Sequence, residues 1–118
     1  MSLGQNMPYK VELAKSAEED LDKALNRLAV EFNSPNSAAR LLAEFRCLEP
    51  ILSSYPKFKP IDYPASEYAK REVRRAQVRN YLAYYVIDDA NEVVTIISFL
   101  AMKQDQMAHL IKDLQGQN

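Results

Sequence analysis

A chain of 118 residues fits one domain and buries roughly two-thirds of its unfolded surface, so it needs neither staples nor a second core. Its 47% apolar and 26% charged residues are ordinary globular proportions and exclude global disorder. The net charge of −1 hides a basic band: between Lys57 and Arg79 lie Lys57, Lys59, Lys70, Arg71, Arg74, Arg75 and Arg79, against Asp62, Glu67 and Glu72. Such a band meets phosphates or an acidic protein segment, or it is a solvated strand edge protected by charge. Cys47 is the sole cysteine, which rules out an internal disulfide and fits a reducing compartment. The chain has no run of about 18 apolar residues and no signal-peptide pattern, so a soluble cytoplasmic protein with no membrane partner is expected. Residues 1–6 read as an expression leader, leaving residues 7–118 as a single domain.

In chain order, Tyr9-Lys10-Val11-Glu12-Leu13-Ala14 alternates apolar and polar residues and predicts a short strand. Ser16 and Glu19 have the spacing of a capping box, which predicts a helix start at Ser16. Ala17, Leu21, Ala24, Leu25, Leu28 and Phe32 form one apolar stripe. Asn33-Ser34-Pro35-Asn36 breaks it, and Pro35 suits a first helical turn, so Ser34 is expected to cap a second helix running to about Ser53. Its stripe is Ala38, Leu41, Leu42, Phe45, Leu48 and Leu52. The short break predicts an antiparallel helical hairpin.

Pro56, Pro60 and Pro64 predict a loop from Ser54 to Ser66. Tyr55, Phe58, Tyr63 and Tyr68 interleave there with Lys57, Lys59, Lys70 and Arg71. That mix stacks bases and holds phosphates, or the aromatics anchor the loop onto the core. Arg71 to Val78 reads as a strand, followed by a tight turn near Arg79-Asn80. The runs Arg79 to Asp88 and Glu92 to Leu100 are rich in Tyr, Val, Ile, Thr and Phe, and they flank a turn-forming Asp89-Ala90-Asn91, which predicts a hairpin.

In the first of these strands Tyr81, Ala83, Tyr85 and Ile87 share one face, while Leu82, Tyr84 and Val86 share the other. Both faces are apolar, so each needs a cover: a helix, a partner, or another copy of the chain. Met107, Leu110, Ile111 and Leu114 predict an amphipathic C-terminal helix ended by Gly116. The expected fold class is α+β, an antiparallel β-sheet of three to four strands with an N-terminal helical hairpin on one face and a short C-terminal helix.

Chemistry-bearing clusters are few. One cysteine and one histidine give no zinc spacing, and Gly4 and Gly116, the only glycines, exclude a glycine-rich phosphate cradle. Asp88, Asp89 and Glu92 are explained by a solvated turn without a metal. No cofactor is implied. Arg74, Arg75, Arg79 and Lys103 are the candidate catalytic cations, with Tyr84 a conceivable proton donor. No base stands out, because His109 sits among helix-packing residues.

The order of elements resembles the RelE/ParE superfamily of type II toxin–antitoxin toxins. Tyr9-Lys10-Val11 before Ala17-Glu18-Glu19-Asp20-Leu21 is similar to its opening strand and "A-x-x-D-L" helix. Ser34-Pro35-Asn36-Ser37-Ala38-Ala39-Arg40-Leu41-Leu42 resembles the start of its second helix. Val78 to Asp89 resembles its "V-x-N-Y-R-x-x-Y-x-V-D" strand and turn. The resemblance implies a small growth-inhibiting toxin neutralised by a cognate antitoxin, which wraps an extended segment and a helix around it.

It also implies one of two targets. RelE-like members cut messenger RNA in the ribosomal A site, and ParE-like members inhibit DNA gyrase by binding. Leu82 stands where nuclease members commonly carry Arg, and Leu100-Ala101-Met102-Lys103-Gln104-Asp105 stands where many carry a histidine or basic cluster. The chain therefore leans towards the ParE-like inhibitors. The alternatives are a ribosome-dependent endoribonuclease and a degenerate protein that binds its antitoxin without toxicity. Leu82, Tyr84, Val86, Arg71 and Arg75 are the expected partner-binding residues, and a second copy of the chain is a further candidate partner.

Overall fold

The computed structural model describes residues 8–102 and 106–115. Residues 1–6, Lys103 and Gly116, and the expectations placed on them, lie outside the described residues. The elements run β1 (Lys10–Leu13), α1 (Lys15–Asn26), α2 (Pro35–Ser54), α3 (Tyr63–Ala69), β2 (Arg74–Val78), β3 (Tyr81–Asp88), β4 (Val93–Ala101) and α4 (Gln106–Gln115). Four strands form one sheet in the order β1-β4-β3-β2. The β2–β3 and β3–β4 pairs are antiparallel, as short turns require, but β1 lies parallel to β4. The sheet is thus mixed rather than antiparallel throughout. No hairpin ties β1 to β4, so nothing local dictates their relative direction.

The helical hairpin covers one face. Ala17, Leu21 and Ala24 of α1 and Leu41, Phe45, Leu48 and Leu52 of α2 join Ala83, Tyr85, Val94, Ile96 and Phe99 in one buried cluster, with Tyr81 and Ile87 packed against it. Phe99 stacks on Tyr81 at 4.9 Å between ring centroids and meets the Phe45 ring edge-on at 5.1 Å, arrangements that suit the ring quadrupoles.

Tyr84 pairs with Ser98 and Tyr85 with Ile96, so Ile97 is an extra residue in β4. This bulge shifts the alternation, so that Ile96 and Phe99 share the hairpin face while Ile97 and Leu100 share the opposite one.

Several local expectations change. Ser16 does not form a capping box: α1 begins at Lys15 with no side-chain cap bond, and the Ser16 hydroxyl donates instead to the Ile97 carbonyl at 2.7 Å. Ser34 does precede α2, but its hydroxyl bonds the Ser37 hydroxyl. After Asn26 the helix widens into a π-helical turn over Arg27–Glu31. The added residue rotates the stripe, so Phe32 is exposed under the Arg27 guanidinium rather than buried.

The expected loop between Ser54 and Ser66 ends early. Asp62 caps α3 by accepting from the Ala65 amide at 2.9 Å, and Pro64 falls in the first turn, where a missing N–H costs nothing. The strand expected from Arg71 begins at Arg74.

Because β1 pairs only with the first half of β4, the second half presents an edge. Two α1 side chains cover it. Ser16 takes up the Ile97 carbonyl, and the Asp20 carboxylate accepts from the Phe99 amide at 3.1 Å. Four helix residues rise about 6 Å and two strand residues about 6.7 Å, so residues four apart on the helix meet residues two apart on the strand.

Asp20 also hydrogen-bonds Asp113 of α4, which accepts from the buried Ser98 hydroxyl at 2.8 Å. Two carboxyls bonded to each other need a proton between them. Burial first, and the Asp113 contact second, push the Asp20 carboxyl up to about 7, against the Phe99 amide and Lys23. Lys23, Arg27, Tyr81, His109 and Lys112 line the same cavity, of about 160 Å³.

A carboxyl raised in the folded state contributes stability that is complete at acid pH and lost as pH rises through its folded pKa, here about 7. The urea midpoint is therefore expected to fall between about pH 4 and about pH 7. Asp20→Asn, which puts a neutral amide in the same place, should flatten that fall; a variant with unaltered pH dependence would contradict the assignment.

Candidate functional site

Leu82, Tyr84 and Val86, the expected partner-binding face of β3, are all buried. They lie in a second cluster with Ala65 of α3, Val73, Ile97, Leu100 and Leu110, with Ala69 and Leu114 packed at its margin. Leu110 of α4 is the central cover, at 1% exposure. Burial pushes the Tyr84 phenol up, assisted by Asp62 and opposed by Arg75, so it is held as a neutral hydroxyl inside this layer. Among the described residues no buried side-chain nitrogen or oxygen lacks a hydrogen-bond partner. Among the described residues the layer is a buried apolar interface between the sheet and α3–α4.

The basic band does not converge. Arg74 pairs with Tyr85 across the β2–β3 ladder, and Arg75 pairs with Tyr84, so consecutive arginines point to opposite faces. The Arg74 guanidinium, on the hairpin side, bonds Glu72 at 2.8 Å and the carbonyls of Lys57 and Lys59 at 3.0 and 2.6 Å. Arg75, on the α3–α4 side, bonds Asp62 at 3.1 Å, the same carboxylate that caps α3. Arg79 sits in the β2–β3 turn with a left-handed backbone (φ 54°) and bonds Glu44 of α2. Arg71 is exposed near Asp88, whose carboxyl is held low chiefly by its bonds to Asn91.

Cleavage of RNA through its 2′-hydroxyl needs a base, an acid and cations gathered at one phosphate. The three described arginines among the candidates each hold a separate piece of the fold instead. His109 is exposed on α4 and shares the cavity with Asp20 and Asp113, away from all three. Asp20 is the described carboxyl raised nearest neutrality, but the Phe99 amide and Asp113 already occupy it. Among the described residues no group of three His, Cys, Asp or Glu side chains is arranged to hold a metal ion, and no helix is long and apolar enough to cross a membrane.

Sequence reasoning missed the carboxyl pair, because Asp20 and Asp113 are distant in the chain and each looks like a solvated helix residue. The separation of Arg74 from Arg75, by contrast, is a direct consequence of adjacency on a strand.

The similarities to known proteins follow this geometry. Residues 11–106 match the family model of the ParE toxin of the type II toxin–antitoxin system parDE. No curated protein matches the sequence. Among solved structures, the chromosomal ParDE toxin–antitoxin system from P. aeruginosa superposes with a TM-score of 0.63 at 14% identity, over 83% of this chain and 99% of that one; at that identity the likeness is one of fold. The RelBE2 toxin–antitoxin complex from Mycobacterium tuberculosis gives a TM-score of 0.52 at 26% identity, over 80% of this chain and 92% of that one. The family match spans the strands, the helical hairpin and the start of α4 alike, and the chain belongs to the ParE toxin family of type II toxin–antitoxin modules, within the RelE/ParE superfamily.

Proposed function

We infer that this toxin arrests growth by binding DNA gyrase and carries no ribonuclease centre. The observation that supports this reading is the dispersal of the cations. Arg74 and Arg79 bond partners on the hairpin side of the sheet and Arg75 bonds Asp62 on the other, and the sheet face under α4 offers chiefly Leu82, Tyr84 and Val86. A binding inhibitor needs neither a base nor gathered cations.

The cognate antitoxin takes the place of α4 on that face, using Leu82, Tyr84 and Val86 as its apolar seat and Arg71 and Arg75 at its rim. The family match and the antitoxin-bound RelBE2 relative support an antitoxin partner; the residues are assigned from the apolar layer itself. Among the described side chains of α4, Leu110 and Leu114 meet the layer, and the helix is short enough to be exchanged for a longer one.

Expressing the chain without antitoxin, while mapping RNA 5′ ends and plasmid supercoiling in one culture, tests the first claim. Growth arrest with intact messages and altered supercoiling is expected. New cuts in the ribosomal A site would overturn it in favour of the nuclease, and unimpaired growth would favour an antitoxin-binding protein without toxicity. Leu110→Ala tests the second. A buried Leu→Ala change removes roughly 2–5 kcal/mol of packing, which lowers the cost of displacing α4. Antitoxin affinity should therefore rise at least about tenfold, or ~1.4 kcal/mol; unchanged affinity would place the antitoxin elsewhere.

A further inference from the structure

Asp20 of α1 and Asp113 of α4 meet carboxyl to carboxyl, and each is fixed from β4. The Phe99 amide donates to one Asp20 oxygen at 3.1 Å, and the fully buried Ser98 hydroxyl donates to one Asp113 oxygen at 2.8 Å. Neither donor carries a charge, and among the described residues neither Asp20 nor Asp113 makes an ion pair. A contact of this kind is attractive only while a proton lies between the two carboxyls; without it, like charges repel.

Both carboxyls are half-buried and line the cavity of about 160 Å³ between α1, α4 and the sheet. The other titratable and charged groups that face them there are Lys23 and Arg27 from α1, Tyr81 from β3, and His109 and Lys112 from α4. Burial and the opposing carboxyl outweigh the Phe99 amide and Lys23, and they hold Asp20 up to about 7. α4 itself touches α1, α3 and β4 and takes no place in the sheet. It is therefore able to leave without breaking a strand ladder, and its described apolar hold is Leu110 and Leu114.

We propose that the Asp20–Asp113 pair is a proton-held latch: the shared proton docks α4 on the sheet, and its loss releases α4 and lifts Leu110 from the face of Leu82, Tyr84 and Val86. In the open form Asp113 is gone and Asp20 returns towards the ordinary carboxylate range, so the closed form binds one proton more than the open one. The latch is complete at acid pH and is lost as pH rises through the closed-state value. Opening therefore increases up to tenfold per pH unit between about pH 4 and about pH 7, and it is level above.

The test is Asp113→Asn in the full chain. A carboxamide donates an N–H to Asp20 and accepts from Ser98 through its carbonyl, so both bonds persist without a titrating proton. Hydrogen exchange of the Leu110 amide, corrected for the pH dependence of free-peptide exchange, is compared in wild type, Asp113→Asn and His109→Gln. Protection in wild type is expected to fall at least about tenfold between about pH 5 and about pH 7. It should stay level in Asp113→Asn and fall as in wild type in His109→Gln. Leu110 should also exchange faster than the Tyr85 amide of β3, because α4 opens by itself.

An equal fall in Asp113→Asn would overturn the latch. A fall that disappears in His109→Gln would assign the proton to the imidazole and overturn it too, and equal protection at Leu110 and Tyr85 would mean that α4 leaves only when the whole fold unfolds. A final measurement rests on the reading that the antitoxin takes the place of α4. The ratio of antitoxin affinities, wild type over Asp113→Asn, cancels the antitoxin's own titration and is expected to rise at least about tenfold over the same range. A flat ratio beside a working latch would sink that seat for the antitoxin and keep the latch.

Discussion

The two-sided apolar character of β3 is the constraint on which the rest of the structure depends. Tyr85 and Ala83 must be covered on one face and Leu82, Tyr84 and Val86 on the other, and a central strand with water on either side would forfeit about 25 cal/mol for each Å² left exposed. The chain meets the demand unequally. The hairpin face receives two amphipathic helices, with seven side chains of α1 and α2 in its buried cluster, whereas the opposite face receives the short helices α3 and α4 and the residue Val73. The weaker cover lies on the face proposed above for the antitoxin.

The bulge at Ile97 and the edge bonds to α1 serve the same demand. Without an extra residue in β4, Ile96 and Phe99 would point to opposite faces; with it, both enter the hairpin core, and Ile97 and Leu100 enter the other. The irregularity occurs just where β1 stops, so β4 changes from an interior strand to an edge strand at Ile97. Ser16 and Asp20 then supply the hydrogen bonds that a neighbouring strand would have given. Such coverage protects an edge from pairing with another chain, and Asp113 extends it by tying α4 to the same place.

Much of this was legible in the sequence because burial dictates periodicity. The stripes of α1 and α2, the alternation in β3 and the Asp-Asn turn before β4 each placed an element correctly, and their order carried the resemblance to the family. What was hidden shares a cause: a side chain with two equally local options. Ser16 has the spacing of a cap residue, yet its hydroxyl serves β4. Pro64 reads as a helix breaker, yet in a first turn it starts α3. The π-helical turn at Arg27–Glu31 carries no residue signature, and only the exposure of Phe32 betrays it. That both faces of β3 need a cover was legible, but the cover of the Leu82 face was left open among a helix, a partner and a second copy; α3 and α4 provide it. The exposed aromatics of the loop were visible as residues, whereas the hydrogen bonds that hold the loop come from Tyr85 and Arg74, a strand away.

Function follows from how the polar groups are spent. Arginines that could have served a phosphate instead hold a loop, a helix cap and a turn, and the layer beneath α4 is chiefly apolar. The most direct measurement titrates purified toxin into two parallel reactions, plasmid supercoiling by gyrase and translation of a labelled message by ribosomes. Inhibited supercoiling with the message left whole is the result this account predicts. Codon-spaced cleavage of the message, with supercoiling undisturbed, would contradict it.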